Sequence, residues 1–142
     1  MLIPDSARAV IESDALAHLV TIAADGSPQV SLVWVGLEGD DIVFASLGPR
    51  RKLDNIVRDP RVSLSIEGTG TNAMGLREYL VVHGKARITE GGAPTLLQRL
   101  AHLYLGPDVV FPPEALRDQP GWITRITPER FGGIGPWNPA ET

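Results

Sequence analysis

The residues with the clearest chemical potential form a basic segment between residues 50 and 61. It contains five basic and two acidic residues, a local charge of +3 within a chain whose net charge is −4. Arg50, Arg51 and Lys52 are consecutive and stand where a loop enters a predicted helix. The N–H groups of a first helical turn and the helix dipole favour an anion, and arginine and lysine both suit phosphate. The segment therefore predicts a phosphate-binding site.

A second interpretation of this segment is equally compatible with the residue types. Charged runs on a helix often only face solvent. Asp54 and Asp59 stand close enough in sequence to neutralise the neighbouring cations. In that case the segment is a solvated helix without a ligand.

Other sequence patterns for catalysis are weak. His18, His83 and His102 are too far apart to form a metal-binding motif, so no metal is predicted. The chain has no cysteine, which excludes disulfides, thiolate metal sites and cysteine nucleophiles. Neither a GxSxG nor a GxGxxG motif is present. His83, on the polar face of a predicted strand, is a candidate proton donor, but the sequence assigns no catalytic residue.

Length and composition narrow the class of protein. The 142 residues predict one domain over residues 1–142, and 43% hydrophobic with 21% charged residues is typical of a globular chain. An acidic balance with 6% aromatic residues argues against a nucleic-acid partner. No apolar run reaches the roughly 18–20 residues that cross a membrane. The N-terminus lacks a signal-peptide pattern, so a cytoplasmic location without a membrane partner is expected.

Hydrophobic periodicity predicts a mainly β protein with short peripheral helices, in the α+β class. Asp25-Gly26 predicts a type I′ hairpin turn, and the first three strands are expected to form an antiparallel meander. Residues 68–75 are predicted to be a loop, and residues 128–142 a surface tail. Six antiparallel strands would close, or nearly close, into a barrel that hides its edges. The predicted strands are residues 17–24, 28–36, 41–46, 62–66, 79–89 and 121–127, and the predicted helices are residues 4–12, 50–58 and 94–104.

Four aromatic residues have several possible roles. Alternation with apolar neighbours places Trp34 in the core, with a position beside a bound ring as the alternative. Tyr79, Trp122 and Trp137 are expected to pack, or to line a substrate pocket or a dimer interface. Trp137 stands in a Gly-rich tail and is the one expected to reach a partner chain.

Three segments together resemble a known family. They are Gly26-Ser-Pro-Gln-Val-Ser31, the block from Arg50-Arg-Lys through Asn55 to Arg58-Asp-Pro-Arg-Val62, and Arg125-Ile-Thr-Pro-Glu-Arg130. In this order and spacing they look like the flavin-reductase-like split β-barrel proteins of the pyridoxamine 5′-phosphate oxidase-like superfamily. The resemblance is strongest to the branch that uses the deazaflavin coenzyme F420, which is common in actinobacteria, and it covers about residues 14–135.

The resemblance implies an FMN-binding type of split β-barrel, a homodimer, and cofactor sites at the dimer interface. The cofactor's phosphate and acidic tail would meet Arg50, Arg51 and Lys52. The ring would lie against two strands, with the corresponding residues Gln29, Val30, Ser31, Ala45, Ser46 and Leu47. Of these, Gln29 and Ser46 can offer hydrogen bonds to the polar edge of the ring.

The resemblance further implies an F420-dependent oxidoreductase acting on an unsaturated or conjugated small molecule. Hydride would leave C5 of the reduced deazaflavin, so that the cofactor supplies the chemistry and the protein orients it. Two alternatives keep the fold: an FMN-dependent oxidase or reductase, and a non-enzymatic carrier of a flavin, F420, haem or bilin-like ligand. Several consecutive cations favour the long acidic tail of F420.

Overall fold

The structure, a computed structural model, describes residues 2–48 and 50–138. A short 3-10 helix, Glu114–Leu116, precedes the last strand. The elements in chain order are α1 (Asp5–Ile11), β1 (Ala17–Ile22), β2 (Pro28–Val33), β3 (Gly36–Glu38), β4 (Asp41–Ser46), α2 (Arg51–Arg58), β5 (Arg61–Thr71), β6 (Arg77–Glu90), α3 (Ala93–Tyr104) and β7 (Trp122–Ile134).

One antiparallel sheet contains all of these strands, in the order β2-β1-β5-β6-β7-β4-β3. The mainly β class with short helices is confirmed, but within the described residues the sheet has seven strands and is not closed, so the expectation of six strands is wrong. The predicted strand 28–36 is interrupted after Val33. There the backbone N–H of Val35 donates to the Tyr104 hydroxyl of α3, at 3.1 Å, and the chain then restarts as β3.

The predicted meander of the first three strands is also wrong. Strand β4 pairs with β7 and with the short β3, whereas β2 pairs with β1. Ile42 and Phe44 of β4 are buried in the core against residues that arrive much later in the chain. Alternation of apolar residues fixes which face of a strand is buried, but it does not name the neighbouring strand.

The first hairpin turn differs from the type I′ prediction. A type I′ turn needs positive φ at both central residues, and here Gly26 has φ +87° while Asp25 does not adopt positive φ. The Gly26 N–H donates to the carbonyl of Ala23, and the Ala23 N–H donates to that of Ser27. The result is a three-residue turn that ends in a glycine bulge.

The first half of the predicted loop at residues 68–75 is strand, and only residues 72–75 form the turn. Strand β5 continues to Thr71 and β6 begins at Arg77, so the two form a long hairpin. A side chain on Gly70 would meet only the carboxylate end of the flexible Glu78 side chain, at 2.7 Å. The Asn72 side chain closes the turn by accepting from the N–H groups of Met74 and Leu76.

The C-terminal segment is part of the core. Strand β7 continues to Ile134 past Pro128, which sits at a bulge in the pairing with β6, where proline is tolerated. Trp137 is 8% exposed and belongs to the same core cluster as Ile11 of α1. The predictions of a surface tail and of a Trp137 that reaches a partner are therefore wrong as far as residue 138; residues 139–142 lie outside the described part.

Candidate functional site

A groove opens between the ends of β2 and β4 and is bordered by α2 and α3. We call it the β2–β4 groove; its cavity volume is about 270 Å³. Strands supply its floor, the start of α2 supplies one end, and α3 with the segment after it supplies the other. The lining residues are Leu32, Val33, Trp34, Ala45, Ser46, Leu47, Arg50, Lys52, Leu97 and Phe111.

The cationic end of the groove carries charges without acidic partners. Within residues 2–48 and 50–138, the ion pairs join other cations, and none involves Arg50, Arg51 or Lys52. Asp59 instead binds Arg61, which lowers the pKa of Asp59 to about 2 through hydrogen bonds to its carboxylate. The alternative interpretation, in which Asp54 and Asp59 neutralise the cations of this helix, therefore does not agree with the structure.

Lys52 is partly buried at the start of α2. Burial, and secondly the charge of Arg50, lower the pKa of the Lys52 ammonium below its usual value. The fold thus holds the Lys52 charge partly out of water and next to a like charge, a cost that an anionic ligand would offset. Arg50 is the N-cap residue of α2, and the first turn of the helix follows it directly.

Aromatic rings form another part of the groove lining. Trp34 stacks on Tyr104 of α3 with ring centroids 5.5 Å apart and nearly parallel planes, and Phe111 meets Trp34 edge-on at 5.4 Å. The Tyr104 hydroxyl is held at the backbone of Ala15 and Val35. Burial raises the pKa of that hydroxyl. These contacts give the groove a rigid aromatic wall suited to a planar ring.

The structure brings together five of the nine predicted site residues. Ala45, Ser46, Leu47, Arg50 and Lys52 line the groove, and Ser46 is buried. Arg51 is exposed in the first turn of α2, beside the cationic end.

The other three predicted residues lie further along β2. Gln29, Val30 and Ser31 are outside the lining, where β2 contributes Leu32 and Val33 instead. Strand alternation sends Val30 to the opposite face of the sheet from Gln29 and Ser31.

Sequence reasoning missed the contributions of Leu97 and Phe111. Leu97 falls among the apolar residues of the predicted helix 94–104, and Phe111 stands in a segment without periodicity. The Gln98 side chain fixes that segment: its carbonyl accepts from the Phe111 N–H at 3.1 Å, and its amide donates to the Val109 carbonyl at 2.9 Å. A glutamine on the polar side of a helix gives no sequence signal for such a contact.

A second groove, of about 590 Å³, lies over a face of the sheet formed by β1, β5, β6 and β7. It is larger than the β2–β4 groove, but Arg61 at its border is already paired with Asp59. His83 stands in it with Nδ1 2.7 Å from the Ser63 hydroxyl oxygen. Burial, and then the charge of Arg130, lower the pKa of His83, so the ring is neutral at neutral pH.

That sheet face is built from aligned rows of residues. Val30, Val20, Ser63, His83 and Arg130 are successive cross-strand partners from β2 to β7, and we call the face that carries them the outer face. At its edge Val30 is 61% and Leu32 55% exposed. Exposed aliphatic side chains on an edge strand are a typical association surface.

The sequence and the fold of this chain are similar to those of known proteins. The sequence model described as pyridoxamine 5′-phosphate oxidase matches residues 3–133. The chain belongs to this family. Curated protein sequences contain no significant match to it. In the described part of the chain, none of the helices combines the length and the apolar character needed to span a membrane.

Several solved structures are similar to this chain over nearly its whole length. One named an F420 reductase has a TM-score of 0.73 at 26% identity and covers 92% of this chain and 98% of its own. A conserved hypothetical protein of Mycobacterium tuberculosis has a TM-score of 0.67 at 23% identity, covering 94% and 88%. HutZ, a haem storage protein of Vibrio cholerae, has 0.64 at 18%, covering 94% and 95%. The last two are alike in fold only. Family and first neighbour support an oxidoreductase-like function with a flavin or F420.

Proposed function

We propose that the protein is an F420-dependent oxidoreductase that reduces an unsaturated or conjugated small molecule. The observation that carries the proposal is the mixed lining of the β2–β4 groove, which combines the cations Arg50 and Lys52 with the aromatic rings of Trp34 and Phe111. A phosphorylated ring cofactor combines the two matching chemical groups, an anion and a planar ring. The solved F420 reductase with a similar fold supports this assignment.

The proposed roles follow the two ends of the groove. Lys52 and Arg50 bind the cofactor's phosphate, and Arg51, exposed beyond them, meets the acidic tail. Backbone groups of Ala45 to Leu47 and the Ser46 hydroxyl face the ring edge. When bound, the reduced deazaflavin supplies a hydride from C5, and a proton from solvent completes the reduction of the substrate. FMN has no acidic tail and would leave Arg51 without a ligand.

Direct titration tests the cofactor assignment. We expect F420 to bind with micromolar affinity and FMN to bind at least tenfold more weakly. Quenching of the ligand's fluorescence during the titration measures both affinities. Tighter binding of FMN would replace the assignment by the FMN-dependent alternative. Binding of F420 without oxidation of its reduced form by quinones, bilins or unsaturated lactones would indicate a carrier. If neither F420 nor FMN binds, both redox functions are contradicted.

The active form is proposed to be a homodimer assembled through the outer face. The β2–β4 groove is smaller than the roughly 300–1,000 Å³ of most ligand pockets. Leu32 both lines this groove and lies in the outer-face row next to that of Val30. A second copy packed on the outer face would therefore border the groove and enlarge it.

An aspartate at position 30 tests the dimer. A charge buried in an apolar interface is costly unless it is paired, so Val30→Asp is expected to convert the dimer to a monomer in sedimentation experiments. Val57→Asp is the matched control, because Val57 is 78% exposed on α2 and lies outside the outer face. The interface assignment fails if Val30→Asp stays dimeric or if Val57→Asp dissociates as well.

A further inference from the structure

A polar cluster beneath α2 lies outside the groove lining. Asn55 is 1% exposed, and its Nδ2 donates to Thr21 Oγ1 of β1 at 3.0 Å and to Gln29 Oε1 of β2 at 2.8 Å. Its Oδ1 accepts from Arg58 Nη1 at 3.3 Å. A buried amide is tolerated when its hydrogen bonds are satisfied, and this one uses both its donor and its acceptor group.

The cluster joins the two elements that form the proposed site. Asn55 stands three and four residues after Lys52 and Arg51, one helical turn away from the cations. Its partners Thr21 and Gln29 are cross-strand neighbours in the β1–β2 pair. A shift of α2 along the sheet would break both Nδ2 bonds inside the protein, so the cluster fixes the position of α2 against β1 and β2.

The same bonds fix the orientation of the Gln29 amide. Because Asn55 Nδ2 is a donor, Gln29 presents its oxygen to it and keeps its Nε2 as a donor for another group. The resemblance implies that Gln29 contacts the cofactor ring directly. In the structure its hydrogen-bond partner is Asn55, on the helix that carries the cations.

We infer that Asn55 is a positioning residue, which sets Lys52 of α2 in the geometry that a phosphorylated ring cofactor requires. This inference rests on the proposed function for the identity of the ligand. Asn55 itself does not line the groove, and it acts through Lys52, which does. Thr21 is the anchor of the cluster in the core.

A double-mutant cycle on F420 affinity tests this role. We expect Asn55→Ala to weaken binding about tenfold in the wild-type background and less than twofold in the Lys52→Ala background, since the effect passes through Lys52. Thr21→Val, which removes one anchor at nearly constant volume, is expected to weaken binding threefold or more and serves if Asn55→Ala does not fold. Additive losses in the cycle would overturn the inference.

Asn72→Ala is the matched control for a merely structural asparagine. It removes the two bonds that close the β5–β6 turn, far from α2, and is expected to lower the melting temperature without changing F420 affinity. An affinity loss in Asn72→Ala equal to that in Asn55→Ala would show that stability alone explains both.

Hydrogen exchange of the ligand-free protein separates this inference from the proposed function. Amides of α2 are expected to exchange at least tenfold faster in Asn55→Ala than in wild type, with no such change in Asn72→Ala. If wild type binds neither F420 nor FMN, the proposed function fails and the exchange result alone decides the positioning role. Unchanged exchange of α2 overturns it.

Discussion

Replacing Arg50 and Lys52 together by alanine is expected to weaken cofactor binding at least 100-fold. Hydrogen bonds to charged groups contribute about 1.5–3 kcal/mol each, so the loss of two phosphate contacts reaches the roughly 2.7 kcal/mol that corresponds to 100-fold. Neither residue has an ion-pair partner among the described residues that would be left uncompensated. Fluorescence titration measures the affinity.

The thermal stability of this double variant should not fall. The folded state lowers the pKa of Lys52 by burial and by the charge of Arg50, so it disfavours the charged form of the lysine. Removing both cations relieves this repulsion, and the melting temperature is expected to stay constant or rise. A large decrease would mean that the cations serve folding, not binding.

The matched control removes two positive charges elsewhere in the protein. Arg8 of α1 pairs with Asp40, Arg99 of α3 donates to the Leu37 carbonyl, and neither lines the β2–β4 groove. Arg8→Ala with Arg99→Ala is expected to change F420 affinity less than threefold at physiological salt, where distant charges are screened. Equal losses in both double variants would indicate a general effect of net charge.

Affinity should also decline at alkaline pH earlier than for an ordinary lysine. The charged ammonium binds the anion, and the pKa of Lys52 lies below the usual 10.5 in the free protein. As the pH rises through this lowered pKa, the wild-type protein loses the phosphate contact and its F420 affinity falls. The affinity of Lys52→Ala is expected to show no decline in this pH range. The free energy of unfolding changes in the opposite direction to the affinity as the pH rises. The unfolded chain keeps its proton to higher pH, so the penalty for Lys52 diminishes as pH rises through the folded-state pKa.

Trp137→Ala is expected to lower the free energy of unfolding by about 3–5 kcal/mol, the usual range for removal of a buried tryptophan. Trp137 packs in the core cluster that includes Ile11 of α1, and its Nε1 donates to the Gly132 carbonyl at 2.8 Å. Domains of this size have about 5–15 kcal/mol of stability, so the variant should be near the limit of folding. Denaturant unfolding, monitored by circular dichroism, measures the change.

Trp137→Phe separates packing from hydrogen bonding. The ring still fills most of the space, while the bond to Gly132 is lost, which costs on the order of 1 kcal/mol. We therefore expect the phenylalanine variant to retain most of the stability. A loss below 1 kcal/mol for Trp137→Ala would mean that the C-terminal segment is not anchored in the core as described.

Local sequence patterns were sufficient for most individual elements. The helix carrying Arg51 and Lys52 and the helix with its leucine stripe were predicted within one residue of their observed ends. The alternation of Val62, Leu64 and Ile66 placed these side chains in the core, where they lie. Such signals are short-range, because helical and strand periodicity are properties of neighbouring residues.

Local periodicity could not predict which segments, distant in the sequence, pair or pack together in the fold. Strand β4 pairs with β7, some 80 residues later, because the two bury complementary apolar faces that neither strand displays alone. The aromatic wall needs Trp34, Tyr104 and Phe111 from three separate segments. The bond between Asn55 and Gln29 likewise joins an unremarkable helix residue to an unremarkable strand residue.

The sequence by itself determined that this is a small β protein with a cation cluster at the start of a helix, since both follow from residue types and their spacing. Only the tertiary structure decided that these cations lack acidic partners among residues 2–48 and 50–138, and that Arg50 and Lys52 share a groove with aromatic residues. It also decided that the tail with Trp137 closes the core. The reason is physical: whether a charge is paired, and whether a ring is buried, depends on which distant atoms surround it.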